Sequence, residues 1–215
     1  MEFLVYELTA KALHLGERAK GNVFKPCLRT IPFSAISGAL NHYFGAWRGK
    51  TEEPSGIKAV GYLDGAAGHN RIELMTYAPR DRVSSVSKIP LQVEFLADVR
   101  ATVLVVANDA AESLAKRFQI ALGGMRSHGF GRAELQFRER RAAGSPRLGS
   151  LRVRLPEGEA KSFGIVKVER AVYGYLFKPT PGTHTGAYVL SLFEGSRVVG
   201  PDFLLEPRGE QRWTM

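Results

Sequence analysis

The sequence of 215 residues has very little cysteine and no long apolar segment. Because Cys27 is the only cysteine, the chain cannot form an internal disulfide, which excludes a secreted disulfide-rich scaffold. The longest apolar run, from Ala101 to Ala107, is interrupted by Thr102 and is far shorter than the roughly 20 residues of a membrane-spanning helix. No basic segment precedes an apolar one at the start of the chain. We therefore expect a protein without a membrane span, located in the reducing cytoplasm.

The sequence also lacks the common motifs of metal, nucleotide and nucleophile chemistry. It contains no Cys-x-x-Cys pair and no Gly-x-Ser-x-Gly motif. The letters Gly49-Lys50-Thr51 end like a phosphate-binding P-loop, but Gly45 is one residue too close, and two glutamates and a proline follow. The histidines are too far apart in sequence for two of them to share one helical turn: His14, His42, His69, His128 and His184. We therefore assign no metal ligand, no cofactor and no catalytic residue.

Positive charge is concentrated in one stretch of the chain. Lys and Arg number 30 against 21 Asp and Glu, which gives a formal net charge of +9 at pH 7. Eight arginines, no lysine and two glutamates lie between Arg126 and Arg154, a local net charge of +6. The planar guanidinium group matches phosphate oxygens and stacks on bases, so this stretch favours a nucleic acid partner. A general compositional bias towards arginine is the alternative explanation.

Hydrophobic periodicity predicts the order of secondary structure elements. Alternation over residues 3–12 indicates a strand, and apolar residues at helical spacing predict a helix over 34–46 with Ser34 as its cap. A second helix is expected over 109–122, because an acidic capping box opens it and the glycine pair 123–124 follows it. Further strands are predicted over residues 57–63, 71–77, 91–106 and 132–138, of which the first two could form a hairpin and the third could be one strand or two.

The order strand, helix, strands, helix, strand is typical of a ferredoxin-like (RRM-like) α+β fold, in which two helices pack on one face of an antiparallel sheet. The opposite face of such a sheet stays open for a ligand. We therefore predict a ferredoxin-like N-terminal domain over residues 1–138. A basic linker is expected over 139–150, and a smaller β-rich C-terminal subdomain, with room for short helices only, over 151–215.

The strongest local motif is GGMRSHGFGR, residues 123–132. Its four glycines allow backbone N–H groups to approach an anion closely, and its two arginines add positive charge. Ser127 and His128 offer short hydrogen bonds, and Phe130 offers a ring that can stack on a base. The alternative interpretation is a tight turn between helix and strand whose phenylalanine enters the core.

This glycine-rich loop resembles the signature loop of the RAMP superfamily, the ferredoxin-like RNA-binding subunits of CRISPR effector complexes. A second region agrees with the resemblance. The stretch Leu13-His14-Leu15-Gly16 follows the first strand, and Ile31-Pro32, then Ser34, then Gly38-Ala39-Leu40 open the first helix. Together the matching stretches cover residues 1–138, which the resemblance identifies as an RNA-binding domain, and no motif matches the rest of the chain.

Within that superfamily, the resemblance leaves three roles open. Repeat-processing endonucleases carry the loop near the C-terminus, whereas 83 residues follow Arg132 here. This placement favours the small, non-catalytic subunit of a type III or type IV-like complex, which caps the 5′ handle of the guide RNA (crRNA) and nucleates the backbone assembly. Its partners are the guide RNA, the backbone and large subunits and, indirectly, target nucleic acid.

Three alternatives remain. The first is the repeated backbone subunit of the complex. The second is a metal-independent endoribonuclease in which His128 or His14 is the general acid or base for attack by the RNA's own 2′-hydroxyl. The third lies outside the superfamily and is a ferredoxin-like enzyme whose loop holds the phosphate of a small anionic substrate.

The capping role predicts which residues contact RNA. The loop would bind phosphates through its backbone N–H groups and Arg126, contact bases through His128 and Phe130, and anchor the following strand through Arg132. A basic segment after the first strand would line the same path. The predicted RNA-binding set is Arg18, Lys20, Lys25, Arg29, Ser34, Gly124, Arg126, Ser127, His128, Gly129, Phe130, Gly131 and Arg132.

Overall fold

The computed structural model describes residues 1–16, 23–48, 56–65, 67–80, 86–179 and 185–207. Its main element is a predominantly antiparallel sheet, to which eight strands of these residues belong. They are β1 (Glu2–Leu13), β2 (Phe24–Lys25), β3 (Thr30–Ile31), β4 (Ala59–Leu63), β5 (Arg71–Tyr77), β6 (Leu91–Val106), β7 (Arg117–Ala121) and β8 (Arg132–Ala142). The order across the sheet is β3-β4-β6-β1-β8-β7, and β2 and β5 also pair with β6.

The 16-residue strand β6 organises this sheet, and it is one strand rather than two. It pairs with β1 along one edge and with β4 and β5, end to end, along the other. The predicted hairpin of 57–63 with 71–77 is therefore wrong, because each strand pairs with β6 instead. At the junction, Asp98 has a φ of 50°, and the Asn70 side chain bonds to the backbone of Asp64 and Arg100 in place of strand partners.

The first helix, α1 (Phe33–Arg48), packs on one face of the sheet. It begins one residue earlier than predicted, since the Pro32 carbonyl already accepts the N–H groups of Ala35 and Ile36. Ser34 consequently lies inside the first turn and is not the residue that precedes the helix as its cap. Ser37, one turn further on, is buried and hydrogen bonds to the backbone of β4.

The second predicted helix, over 109–122, is wrong. Only one turn, α2 (Asp109–Glu112), is helical, and Asn108 caps it by accepting the N–H of Ala111 at 2.8 Å. The following residues form β7, in which Phe118 and Ile120 are buried alternately and the backbone pairs with β8. The apolar residues of this stretch fit the spacing of a helix and also that of a strand. Pairing with β8 stabilises the strand. The fold class is thus α+β with mainly strands, and the second long helix of the ferredoxin-like prediction is not formed.

Apolar side chains on the two faces of the sheet form two cores. The first core lies between the sheet and α1 and includes Leu8 and Val103. Phe3, Val5 and Leu104 lie on the opposite face and form the second core with residues of the C-terminal part. The prediction that this opposite face is open to a ligand is therefore wrong for the half of the sheet that the C-terminal part covers.

The described residues of the C-terminal part form two small antiparallel sheets and two 3₁₀ helices. Residues 139–142 still belong to β8, so most of the predicted linker over 139–150 is strand. The remaining elements are β9 (Arg147–Ser150), β10 (Leu155–Pro156), β11 (Lys167–Arg170), β12 (Tyr173–Pro179), β13 (Gly186–Leu192), β14 (Arg197–Gly200) and the 3₁₀ helices Glu157–Phe163 and Asp202–Leu204. The sheets have the orders β10-β13-β12 and β11-β14-β9.

Candidate nucleic-acid interface

The glycine-rich loop, residues 123–131, connects β7 and β8 and is thus the turn of a strand hairpin, not a link between helix and strand. The hairpin ladder continues into the loop, since the N–H of Leu122 donates to the Gly131 carbonyl at 2.8 Å. The N–H of Gly124 donates to His14 O at 2.9 Å, and that of Gly131 to Ala12 O at 3.0 Å. The loop is therefore fastened to the end of β1.

These contacts bring together the two stretches that carry the family resemblance. The His14 carbonyl belongs to the stretch after β1, and it accepts the N–H of Gly124 in the loop. Close approach requires glycine here: a Cβ on Gly123, whose φ is +82°, would lie 2.5 Å from that same carbonyl oxygen. The glycine pair therefore allows the loop to rest on the end of the strand.

Three glycine N–H groups that were predicted to be open to phosphate are already used. Those of Gly124 and Gly131 donate to the end of β1, and that of Gly129 donates to Arg126 O at 3.2 Å. In the described structure these three N–H groups therefore already have acceptors, and contact of Gly124, Gly129 and Gly131 with RNA stays a prediction. Their role in the described structure is to shape the loop.

Side chains at the tip of the loop face solvent. Arg126–His128 forms one 3₁₀ turn in which all three residues are exposed. Arg126 Nε donates to Gly123 O at 3.2 Å, and within the described chain no carboxylate lies in ion-pair distance of its guanidinium group. Ser127 Oγ lies 3.1 Å from His128 Nδ1. The tip thus presents a cation, a hydroxyl group and an imidazole side by side.

Two aromatic contacts hold the loop against the sheet. The His128 ring lies 4.7 Å from the ring of Tyr77 on β5, and the Phe130 ring lies 5.0 Å from that of Phe95 on β6. Both are edge-to-face contacts, the preferred geometry for such pairs. Phe130 is half-buried by this packing, whereas His128 stays exposed. Leu96 belongs to the first core, so its neighbour Phe95 and the loop above it lie on the opposite face of the sheet.

The sheet next to the loop presents a polar surface on this same face. Glu7 of β1 accepts ion pairs from Arg100 of β6, at 3.2 Å, and from Arg138 of β8. Arg132 is exposed at the start of β8 and donates two hydrogen bonds to Gln119 Oε1, at 3.0 and 2.9 Å. This polar surface, bounded by the loop and by the C-terminal part, is the half of the sheet that stays open.

His14 does not belong to the exposed surface. It is buried, and its Nδ1 lies 2.7 Å from Glu94 O. A Cβ on Gly16 would lie 2.4 Å from His14 Nε2, so a glycine there lets the chain pass over the ring. The His14 ring is thus enclosed in the described structure, whereas His128 is exposed.

The early basic residues are only partly brought to the loop. Arg18 and Lys20 lie outside the described residues. Lys25 is half-buried on β2 opposite Val93, two residues from the Phe95 that contacts the loop, and Arg29 is exposed. Ser34 lies in the first turn of α1, and the N–H of its neighbour Phe33 donates to the carbonyl of Arg154 in the C-terminal part.

Sequence reasoning missed Tyr77 and Phe95, the two sheet residues on which the loop rests. Period-two alternation within 71–77 and 91–97 places both on one face, and that signal was available in the sequence. Among the residues that the structure describes, no group of three His, Cys, Asp or Glu side chains is arranged to hold a metal ion. In the same part of the chain, no helix has the length and hydropathy needed to cross a membrane.

Neither a family model nor a curated protein matches this chain by sequence. Solved structures match it by fold. A chain in a cryo-electron microscopy structure of the type III-B Cmr-β complex, bound to cognate target RNA and AMPPnP, aligns with a TM-score of 0.55 at 11% identity, over 94% of this chain and 87% of that chain. A chain of a CRISPR RNA-guided surveillance complex aligns with a TM-score of 0.49 at 14% identity, over 97% of this chain and 95% of that chain.

The alignment to the type III-B chain shows a shared fold. This protein thus has the fold of a chain in the type III-B Cmr-β structure. The match extends over most of both chains and therefore includes the C-terminal part, for which the sequence offered no motif.

Proposed function

We propose that this protein is a non-catalytic guide-RNA-binding subunit of a CRISPR ribonucleoprotein effector complex, which caps the 5′ handle and nucleates assembly of the backbone subunits. The observation that carries the proposal is the position of the glycine-rich loop. Fastened to the end of β1, the loop directs Arg126, Ser127 and His128 to solvent beside an open polar sheet face. The fold shared with a chain of a type III-B complex supports the same role.

The exposed tip offers the chemistry that a single-stranded RNA end requires. The guanidinium group of Arg126 fits a phosphate through two parallel hydrogen bonds. Ser127 and His128 offer short hydrogen bonds to a 2′-hydroxyl or a base edge, and the imidazole ring offers a face for stacking. Because the His128 ring already packs against the ring of Tyr77, little conformational entropy is lost when a base contacts it.

The polar sheet face would continue this contact. Arg100 and Arg138 share Glu7, so each guanidinium group keeps N–H donors that the single carboxylate does not satisfy. Arg132 lies at the border between the loop and this face. A strand leaving the loop would meet these three arginines in turn, which agrees with phosphate contacts that position the RNA without reading its sequence.

The proposal is tested by measuring the affinity of the purified protein for its repeat RNA. Arg126→Ala is expected to weaken binding about tenfold or more, because a charge-assisted contact to phosphate is lost. Lys116→Ala is the matched control: Lys116 is an exposed cation just before β7, away from the loop, and its loss should change the affinity by less than about twofold. Equal affinities of wild type and Arg126→Ala would contradict the proposal.

A second candidate is supported by one observation, the exposed His128 beside the Ser127 hydroxyl. An accessible imidazole suits a metal-independent endoribonuclease that uses the RNA's own 2′-hydroxyl as nucleophile. Incubation with repeat RNA in EDTA separates the two candidates, since capping predicts intact RNA. Cleavage that disappears in His128→Ala would replace the capping role.

The number of copies per guide RNA tests the remaining alternative. Native mass spectrometry of the assembled complex should show one copy of this protein for each guide RNA. Several copies on one guide RNA would instead identify the repeated backbone subunit.

A further inference from the structure

The C-terminal part carries a second surface whose chemistry fits nucleic acid. Its base is the sheet β11-β14-β9. Val168 and Val198 are cross-strand neighbours on the inner face of this sheet, where they pack in the second core. Lys167, Arg170 and Arg197 lie on the outer face, and all three are exposed.

Arg170 and Arg197 are partners across β11 and β14, next to a β-bulge at Glu169. Like charges at such positions repel and destabilise the sheet. In the part of the chain that the structure describes, no carboxylate lies within ion-pair distance of either guanidinium group. Glu169, which directly precedes Arg170, forms an ion pair with Lys167 at 2.5 Å, and its carboxylate also attracts Arg197 more weakly. The single carboxylate of Glu169 offsets only part of the repulsion within this group of three cations, and a bound anion would relieve the rest.

The hairpin of β12 and β13 adds exposed aromatic rings. Its register sets Tyr175 opposite Leu190 and Phe177 opposite Tyr188, so these side chains share one face. Tyr175 is 64% exposed and Tyr188 57%, and Leu190 between them is 41% exposed, so the rings belong to a contiguous apolar patch of the kind that marks interaction sites. Tyrosine rings stack on bases while their hydroxyl groups remain hydrated.

A buried serine fixes the arginine pair relative to the hairpin. Ser196 immediately precedes Arg197, and its hydroxyl oxygen accepts the N–H of Val172 at 3.0 Å. The same hydroxyl group lies 2.8 Å from Phe193 O. Val172 immediately precedes β12, so the start of the hairpin and the start of β14 are tied together. The cations and the rings thus lie on consecutive strand pairs of the same two chain segments, β11-β14 followed by β12-β13.

We propose that this surface, formed by Lys167, Arg170, Arg197, Tyr175 and Tyr188, is a second binding site for single-stranded RNA. The arginine pair binds backbone phosphates, and the tyrosines stack on bases next to them. Charge favours RNA over a protein partner, because the centre of a protein interface is depleted in charged residues, whereas cations beside exposed rings are the usual combination for a single strand. The site extends beyond handle capping, since it needs no contact from the glycine-rich loop.

The test uses the full-length protein and a labelled single-stranded RNA of mixed sequence. Arg170→Ala/Arg197→Ala should weaken binding about tenfold and lower the slope of log K against log salt concentration by about 1.4, because each phosphate contact of a single strand contributes about 0.7. Tyr175→Ala/Tyr188→Ala should also weaken binding about tenfold but leave the slope unchanged, because stacking releases no counterions. Lys116→Ala/Lys161→Ala removes the same charge elsewhere on the surface and should stay within about twofold of wild type.

Three results would overturn the proposal. The first is that the arginine and the tyrosine variants both bind RNA with the affinity of wild type. The second is that the lysine control loses as much RNA affinity as these variants do. The third is loss of a partner subunit from the arginine or tyrosine variant while RNA binding stays intact, which would make the surface a protein interface. Thermal unfolding of each variant verifies that it folds.

Arg126→Ala separates this site from the capping role. If Arg126→Ala binds repeat RNA normally while the C-terminal variants do not, the second site stands and handle capping fails. If only Arg126→Ala loses repeat RNA and both C-terminal variants bind mixed-sequence RNA normally, handle capping stands and the second site is wrong.

Discussion

At the scale of single residues, two glycines of the loop share a backbone conformation but differ in their surroundings. Gly129 and Gly131 have φ values of +86° and +88°. A Cβ on Gly131 would lie 2.6 Å from Leu122 O, whereas nothing lies within 4 Å of a Cβ on Gly129. The left-handed backbone therefore favours glycine at both positions, and steric exclusion by the hairpin ladder adds to it at 131 only.

Alanine substitutions separate these two costs. Gly129→Ala should lower the free energy of unfolding by about 1 kcal/mol, the cost of a left-handed conformation. Gly131→Ala should lower it by about 3 kcal/mol, because the ladder must also shift to admit the methyl group. Urea unfolding of both variants measures the difference. Equal losses would contradict the view that contact with the strand ladder determines the loop shape.

Tyr6 provides a pH-dependent test of the first core. It is 2% exposed, and its ring contacts Phe118 and Phe137 edge to face. Burial raises its pKa to about 12, with smaller contributions from Glu112 and Tyr43. In the unfolded chain a tyrosine titrates near pH 10. The folded state therefore loses stability as the pH rises from about 10 to about 12, because only the unfolded chain can ionise there.

The variant Tyr6→Phe removes this titration. Wild type should lose about 2 to 3 kcal/mol of unfolding free energy between pH of about 10 and about 12 through this group, and the variant should lack that component. Denaturant unfolding across this alkaline range measures it. A parallel decline in both proteins would show that Tyr6 ionises equally well in the folded state.

At the scale of elements, polar side chains of α1 hold the edge of the sheet. Ser37 Oγ donates to the Ala59 carbonyl at 3.0 Å and accepts the Ala59 N–H at 2.9 Å. Asn41, one turn further along, accepts the N–H of Ile57 at 3.1 Å and donates to its carbonyl at 2.9 Å. Side chains of the helix therefore satisfy the backbone N–H and carbonyl groups of Ile57 and Ala59, which have no strand partner on that side in the described part of the chain.

Ser37→Ala tests this connection. The substitution leaves buried backbone groups of Ala59 without their partner and should lower the free energy of unfolding by about 1 to 3 kcal/mol. Ser34→Ala is the control on the same helix. Because Ser34 lies within the first turn and not before it, its loss should cost less than about 0.5 kcal/mol in denaturant unfolding. A larger loss at Ser34 than at Ser37 would contradict this assignment and restore the predicted cap.

Prediction from sequence succeeds for elements whose pattern has one period. Strands β1 and β6 and helix α1 lie within a few residues of their predicted bounds, since alternation or helical spacing is unambiguous there. It fails over 109–122, where the same apolar residues fit a helix and a strand, and only pairing with β8 decides. The end-to-end position of β4 and β5 was equally out of reach, because it depends on Asp98 and Asn70 at their junction.

The candidate site, too, could be predicted from the sequence only in part. The sequence identifies the loop and its exposed Arg126, Ser127 and His128, because glycine and polar residues cluster there. It does not show that the glycine N–H groups are used by β1, since that depends on contacts between distant segments. Local patterns thus locate the loop, and tertiary contacts determine which of its groups a ligand can reach.

At the scale of the whole molecule, the C-terminal part packs against one face of the sheet that carries the loop. Arg152 links them: its guanidinium carbon lies 3.3 Å above the ring of Tyr62 on β4, and it donates to Phe203 O at 2.8 Å. Burial lowers the pKa of this arginine, and the aromatic ring and the carbonyl compensate part of the desolvation. One face of the sheet is thereby divided into a covered half and an open half next to the loop.

The central claim is that the glycine-rich loop holds the 5′ handle of a guide RNA. Photo-crosslinking tests it most directly, with a photoreactive nucleotide placed in the handle of the guide RNA and the crosslinked peptide of the assembled complex identified by mass spectrometry. The account predicts crosslinks within residues 123–132, reduced in Arg126→Ala. Crosslinks confined to other subunits, or to parts of this chain away from the loop, would contradict it.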